Sequence, residues 1–137
     1  MRRAEVPPAI LANLRAICLK LPEAREEQAW TGVRWVVAKK NFAHVLMIAS
    51  GWPPAYARAA KSEGPLCVLT FRTLDRTFDP RNFERPPFFR PVWFPNIVGM
   101  ALGSRTDWRE VADLISTSHR LLAPKTVGAQ VGRGRQS

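Results

Sequence analysis

The chain has 137 residues, 46% of them hydrophobic, and carries 21 Lys and Arg against 11 Asp and Glu, a formal net charge of +10. This length predicts one domain with a core that needs no disulfide. The charge favours a polyanionic partner, either nucleic acid or an anionic membrane surface, unless the protein is merely basic. No apolar run reaches the ~20 residues of a membrane span, and Met1-Arg2-Arg3 is followed by Pro7-Pro8 rather than an apolar segment, so we expect a cytoplasmic protein without a signal peptide.

The first predicted element is an amphipathic helix opened by Pro7 and Pro8, because proline is tolerated at the first helical position. Its apolar positions repeat with helical spacing and form one face: Ile10, Leu11, Leu14, Ile17, Cys18 and Leu21. Pro22 ends this helix. A first strand is predicted over Glu26–Trp30, before a turn at Thr31-Gly32.

A β-hairpin is predicted next. Val33–Ala38 is rich in β-branched and aromatic residues, and Phe42–Ala49 is a continuous apolar run, so Lys39-Lys40-Asn41 is expected at the hairpin tip. Ser50–Pro65 is punctuated by glycine and proline and is predicted to be a connection. Leu66–Phe71 is predicted as the fourth strand.

The stretch from Arg72 to Pro95 is irregular, and its prolines forbid a long element. A short helix is predicted near Pro80–Arg85, where Asp79 can cap it. Ile97–Leu102 is predicted as the fifth and last strand.

The closing helix has the clearest pattern in the chain. Asp107 is suited to its N-cap and Pro124 to its end. The apolar residues fall on one stripe: Trp108, Val111, Ala112, Ile115 and Leu122. A stripe of this kind needs a partner surface, which the predicted strands supply.

The order of elements predicts an α+β fold. We expect a two-layer sandwich of a mostly antiparallel five-stranded sheet, with the N- and C-terminal helices packed on one face. Residues 1–125 are predicted to be a single domain, monomeric or weakly homodimeric, and 126–137 a flexible basic Gly/Arg tail. Cys18 and Cys67 lie among apolar residues and are expected to be reduced core thiols, with a disulfide or a thiol nucleophile as the minor alternatives.

Three sets of residues suggest a family. They are Leu21–Ala24 with Glu27 and Trp30, the hairpin residues Val37, Lys40, Phe42 and Ala43, and Asp107-Trp108 with the helix end Ser118–Lys125. Together they resemble the MmcQ/YjbR family of small bacterial proteins, over about residues 10–127. The resemblance implies a CyaY-like α+β domain and a DNA-binding role, and it brings no established catalytic residues.

The interval from Gln28 to Ser62 contains basic and aromatic residues but no acidic residue. Phosphate neutralisation and stacking on nucleic acid require these residue types. The predicted nucleic-acid-binding residues, including one at the end of the closing helix, are Arg34, Lys39, Lys40, Arg58, Lys61 and Lys125. Candidates for stacking on bases or for lining a pocket are Trp35, Trp52, Tyr56 and Trp93. In the alternative interpretation, the aromatic residues belong to the core and the basic residues form a solvated rim around it.

A second hypothesis concerns the Phe/Trp/Pro-rich loop 79–96, whose aromatic residues could line a pocket for a small ligand or a protein partner. The favoured alternative is that they pack against the core and anchor the loop, because a loop this apolar is unfavourable in water. Enzymatic activity is not predicted, because no nucleophile or acid/base motif is present. His44 and His119 have no Cys or carboxylate at metal-ligand spacing, so neither a metal nor a cofactor is expected.

Overall fold

The computed structural model describes residues 5–73, 87–89 and 96–124. Within these ranges the fold is of the α+β class, with three helices and an open antiparallel sheet. The helices are α1 (Pro8–Cys18), α2 (Pro54–Ala60) and α3 (Trp108–Leu122). The strands are β1 (Arg25–Gln28), β2 (Val33–Val37), β3 (Lys40–Ile48), β4 (Leu66–Arg72), β5 (Phe88–Phe89) and β6 (Ile97–Leu102). They form one six-stranded sheet in the order β1-β2-β3-β4-β6-β5.

The main core lies between the sheet and the two long helices, on what we call the inner face of the sheet. Leu14 and Cys18 of α1 and Val111 and Ile115 of α3 are buried there. Alternate strand residues lie beneath them: Val33, Trp35 and Val37 of β2, Val45 of β3, Leu69 of β4 and Val98 of β6. The amphipathic periods of both terminal helices therefore predicted their buried sides correctly.

A second, smaller core lies on the outer face of the sheet. Leu46, Ile48 and Val68 alternate with the inner-face residues and are fully buried. Tyr56, Ala57 and Ala60 of α2 pack against them. The prediction of a plain connection over Ser50–Pro65 was wrong, because seven residues opened by a proline are too short to show a helical period.

The first strand also differs from the prediction. It covers Arg25–Gln28 rather than Glu26–Trp30, and a turn follows in which the Ala29 N–H donates to the Gly32 carbonyl at 3.2 Å. Gly32 has a φ of +74°, and a Cβ there would collide with the Val45 carbonyl of β3. The turn is therefore pressed against the sheet, and Trp30 lies in it rather than in β1. The sheet also has one strand more than the five predicted. The strand that was missed is β5, which has only two residues.

The other predicted elements are present where the structure describes them, with shifted ends: α1 ends at Cys18 rather than before Pro22, and Lys40 begins β3 rather than lying in the turn. β2 and β3 form the expected antiparallel hairpin, and β4 and β6 are neighbouring strands. At the start of α3 the Asp107 carboxylate accepts the N–H groups of Arg109 and Glu110, at 3.0 and 3.3 Å. The predicted helix at Pro80–Arg85 and the tail 126–137 lie outside the described residues.

Ser118 of α3 bridges two strands of the sheet. The β3–β4 ladder ends at the pair Ala43 and Phe71, so Phe42 and Arg72 would form the next pair. Instead, the buried Ser118 hydroxyl accepts the Arg72 N–H at 2.8 Å and donates to the Phe42 carbonyl at 2.6 Å. A helix side chain thus supplies the hydrogen bonds of a missing strand pair.

His119 fixes the same helix to the chain that follows α1. Its Nε2–H donates to the Pro22 carbonyl at 2.8 Å, and its ring meets Phe42 edge-on at 5.1 Å between centroids. The side chain is buried. Ser118 and His119 together hold the last helix to β3, β4 and the segment that follows α1.

The hairpin turn between β2 and β3 is strained. Val37 pairs with Lys40, and the two turn residues Ala38 and Lys39 have φ angles of 50° and 67°. These angles suit a type I′ turn, which favours Asn and Gly. We expect Ala38→Gly to raise the free energy of unfolding by about 0.5–1 kcal/mol, because glycine adopts positive φ without a steric penalty. Urea unfolding measures this, and a loss of stability would contradict the turn geometry.

Candidate nucleic-acid interface

The predicted contact residues Lys39 and Lys40 are exposed at the tip of the hairpin. Neither forms an ion pair with any residue in the described ranges. Only two residues connect the paired strands, so the backbone that carries both lysines has a defined turn conformation. Their charges are available to a polyanion in solution.

Arg34 is the second residue of β2 and is already paired. Its guanidinium contacts the Glu27 carboxylate of β1 at 2.9 Å, and its Nε–H donates to the same oxygen at 3.1 Å. The pair is cross-strand, because Glu27 and Arg34 are in register. The positive charge of Arg34 is therefore partly offset, so it is a weaker phosphate contact than the lysines.

Arg58 and Lys61 lie in the last turn of α2 and just after it, and both are exposed. Lys61 ends the helix in the left-handed conformation, with its N–H bonded to carbonyls of the last turn. The two side chains flank a shallow depression of about 350 Å³. Its other lining residues are Gly51, Pro54, Ala57, Ser62 and Glu63.

The exposed cations of this interval lie near opposite ends of β3. β3 runs from Lys40 at the hairpin tip to Ile48 beneath α2. Eight residue steps at ~3.3 Å separate these ends by about 26 Å. The hairpin pair (Lys39 and Lys40) and the α2 pair (Arg58 and Lys61) are therefore two separate sites.

Trp35, a predicted stacking residue, has none of its surface exposed. Its ring belongs to the inner core, and its Nε1–H donates to the Glu26 carboxylate at 3.0 Å. Arg15 binds the same carboxylate through Nε and Nη2, which holds the pKa of Glu26 below its usual value. Alternation along β2 turns the ring inward, so the described structure leaves Trp35 no exposed face on which a base could stack.

Trp52, also a predicted stacking or pocket residue, is half-buried and meets Trp30 edge-to-face. Their ring centroids lie 5.6 Å apart with an interplanar angle of 79°. Trp30 exposes 60% of its surface. It was missed as a site residue because the sequence placed it at the end of a strand. The signal that could have identified it is the Thr31-Gly32 turn directly after it.

Tyr56, the third predicted aromatic residue, packs on the outer core and faces His44. The two rings meet edge-on at 6.3 Å, and the His44 Nε2–H donates to the Thr31 carbonyl at 2.7 Å. Burial, with a smaller contribution from the charge of Arg34, lowers the pKa of His44. A neutral imidazole therefore ties the turn that carries Trp30 to the centre of β3.

The remaining predicted site residues, Lys125 and Trp93, lie outside the described residues, as does the loop 79–96 except for 87–89 and 96. Binding by that loop stays a prediction. Both cysteines are buried and neither forms a disulfide. Burial raises the pKa of each thiol, that of Cys67 to about 12.

The described ranges also bear on metals and membranes. There, no group of three or more His, Cys, Asp and Glu side chains is placed to hold a metal ion. Within the same ranges, every helix is too short or too polar to cross a membrane.

Comparisons of the chain with protein-family models, with curated proteins and with solved structures gave no match. The resemblance to the MmcQ/YjbR family therefore stays a prediction, and the function is argued below from the residues and their geometry.

Proposed function

We propose that this protein binds DNA without catalysing a reaction, as the MmcQ/YjbR resemblance implies, through phosphate contacts made by the hairpin pair and the α2 pair. One observation carries the proposal. All four side chains, Lys39, Lys40, Arg58 and Lys61, are exposed and form no ion pair with the described residues. Exposed lysines and arginines of this kind neutralise phosphates and release their counterions.

The separation of the two pairs suits a backbone rather than a small anion. The two ends of β3, near which the pairs lie, are about 26 Å apart, which corresponds to roughly eight base pairs of duplex at 3.4 Å per base pair. A phosphate-bearing metabolite is too small to contact both sites at once. A nucleic acid strand running along β3 can contact both, and the tail and loop cations outside the described ranges add to the overall attraction.

The hairpin pair supplies the first test. Replacing Lys39 and Lys40 together by alanine is expected to weaken binding to all DNA sequences alike and to lower the slope of log K against log salt by about two units, at roughly 0.9 for each phosphate that is no longer neutralised. Stability should change by no more than about 0.5 kcal/mol, because both side chains are exposed. Fluorescence anisotropy of labelled duplex and single-stranded oligonucleotides, over a salt series, measures the slope.

A matched control separates a defined contact from general attraction. Lys20 and Arg109 are also exposed, and neither forms an ion pair within the described part of the chain. Their double alanine variant removes the same charge and should keep the parent slope. An equal weakening in both variants would show that only net charge matters. Binding by the parent no stronger than that of lysozyme, an unrelated basic protein, would overturn the proposed function.

A further inference from the structure

Trp30 and Trp52, which we call the tryptophan pair, form an exposed aromatic surface outside either core. Trp30 exposes 60% of its surface, a large fraction for an indole, and its ring is supported edge-on by Trp52. Single exposed apolar residues are common in soluble proteins. The support beneath this one is the feature that distinguishes it.

Both tryptophans are held by backbone contacts. Trp30 sits in a turn that is closed by a hydrogen bond from Ala29 to Gly32 and pressed against β3. Trp52 exchanges two hydrogen bonds with Ala49, each 3.0 Å long. An aromatic ring on a fixed backbone loses little conformational freedom on binding, so it can act as a preorganised contact surface.

Positively charged residues lie close to the tryptophan pair along the chain. Arg34 follows four residues after Trp30 on β2, and the depression between Arg58 and Lys61 begins at Gly51, next to Trp52. Two carboxylates are also near: Glu27, which is paired with Arg34, and Glu63, which lines the depression. An aromatic face beside unpaired cations matches the combination that single-stranded nucleic acid requires, a base to stack and a phosphate to neutralise.

We propose that the tryptophan pair is a base-stacking platform that makes the protein prefer single-stranded over duplex DNA. This inference rests on the DNA binding proposed above and assigns its substrate class. In a duplex both faces of each base are covered by neighbouring bases, so an indole reaches one only after unstacking. In a single strand the face is accessible, and Trp30 stacks on it while the α2 pair holds the adjoining phosphates.

The test compares Trp30→Ala with the parent on single-stranded and duplex oligonucleotides of equal length, at one salt concentration. Loss of one stacked base should weaken single-strand binding by about 5- to 100-fold, and duplex binding should stay within about twofold. Trp30→Phe keeps an aromatic face, so its affinity for single-stranded DNA should lie between those of the parent and Trp30→Ala. Leu19→Ala removes another exposed large apolar side chain, 48% exposed, and should bind like the parent.

The outcomes separate this inference from the proposed function. No binding of either DNA by the parent overturns both. If Trp30→Ala binds both duplex and single-stranded DNA as tightly as the parent does, the stacking platform alone is overturned. The same holds if the variant loses affinity equally for both DNAs. A Trp30-dependent dimer in sedimentation, with DNA affinity unchanged by Trp30→Ala, would also overturn it, by showing that the ring contacts a second copy.

Discussion

Replacing Trp35 by alanine is expected to lower the free energy of unfolding by about 3–5 kcal/mol. The indole lies at the centre of the inner core with no exposed surface, so its removal leaves a cavity that α1 and α3 cannot fill without moving. It also leaves the Glu26 carboxylate with Arg15 as its only remaining side-chain partner among those described. Urea unfolding followed by far-UV circular dichroism measures the change.

Two further variants show where the effect arises. Trp35→Phe keeps most of the ring but loses the hydrogen bond to a carboxylate, so a smaller decrease of about 1–3 kcal/mol is expected. The same tryptophan-to-alanine change at the exposed Trp30 should cost about 1 kcal/mol or less, mainly from the edge contact with Trp52. If Trp35→Ala were as stable as the parent but no longer bound DNA, the ring would be a stacking surface after all.

Replacing Ser118 by alanine is expected to lower the free energy of unfolding by about 2–4 kcal/mol. The substitution removes one hydroxyl but leaves two backbone groups, the Arg72 N–H and the Phe42 carbonyl, without the hydrogen bonds that it made. Each buried polar group left unsatisfied costs about 1–3 kcal/mol. Ser116→Ala, in the same helix, is the matched control and should be neutral or slightly stabilising, because alanine is the better helix former.

Amide hydrogen exchange gives a local measure of the same contact. In Ser118→Ala the Arg72 amide should exchange faster relative to the amides of Cys67 and Leu69 in the same strand. Unchanged stability together with unchanged exchange at Arg72 would show that the strands close the gap by themselves. In that case the hydroxyl would be dispensable.

The sequence allowed the main elements to be predicted because each has a pattern of apolar residues along its length, either a helical period or a continuous run. The helical spacing of Leu14 and Cys18 placed α1 against the sheet, and the apolar run of β3 gave the hairpin. The α2 helix could not be predicted for two reasons. It has only seven residues, too few to show a helical period. It also packs against Leu46 and Val68, which lie outside the helix in sequence. Local propensity does not report such tertiary contacts.

The candidate site was predicted only in part, for two physical reasons. Four of the five cations in the acid-free interval are exposed, and the fifth, Arg34, is paired with Glu27. The length of β3 separates Lys40 from Lys61, and no composition pattern records that distance. Burial of aromatic residues depends on strand phase and strand end. A shift of two residues in the end of β1 decides whether Trp30 is a strand residue or a turn residue, and sequence patterns do not fix ends that closely.

The long-range bonds of α3 also set the order of events during synthesis. Ser118 bonds to a carbonyl 76 residues earlier in the chain, and His119 to one 97 residues earlier. The hairpin can form as soon as it leaves the ribosome, but the inner face of the sheet stays uncovered until residue 122 has also emerged. At roughly 5–20 residues per second, several seconds pass between the two events. The nascent chain therefore presents an apolar sheet face during that interval, so chaperone contact is expected at Val45 and Leu69 rather than at the hairpin tip.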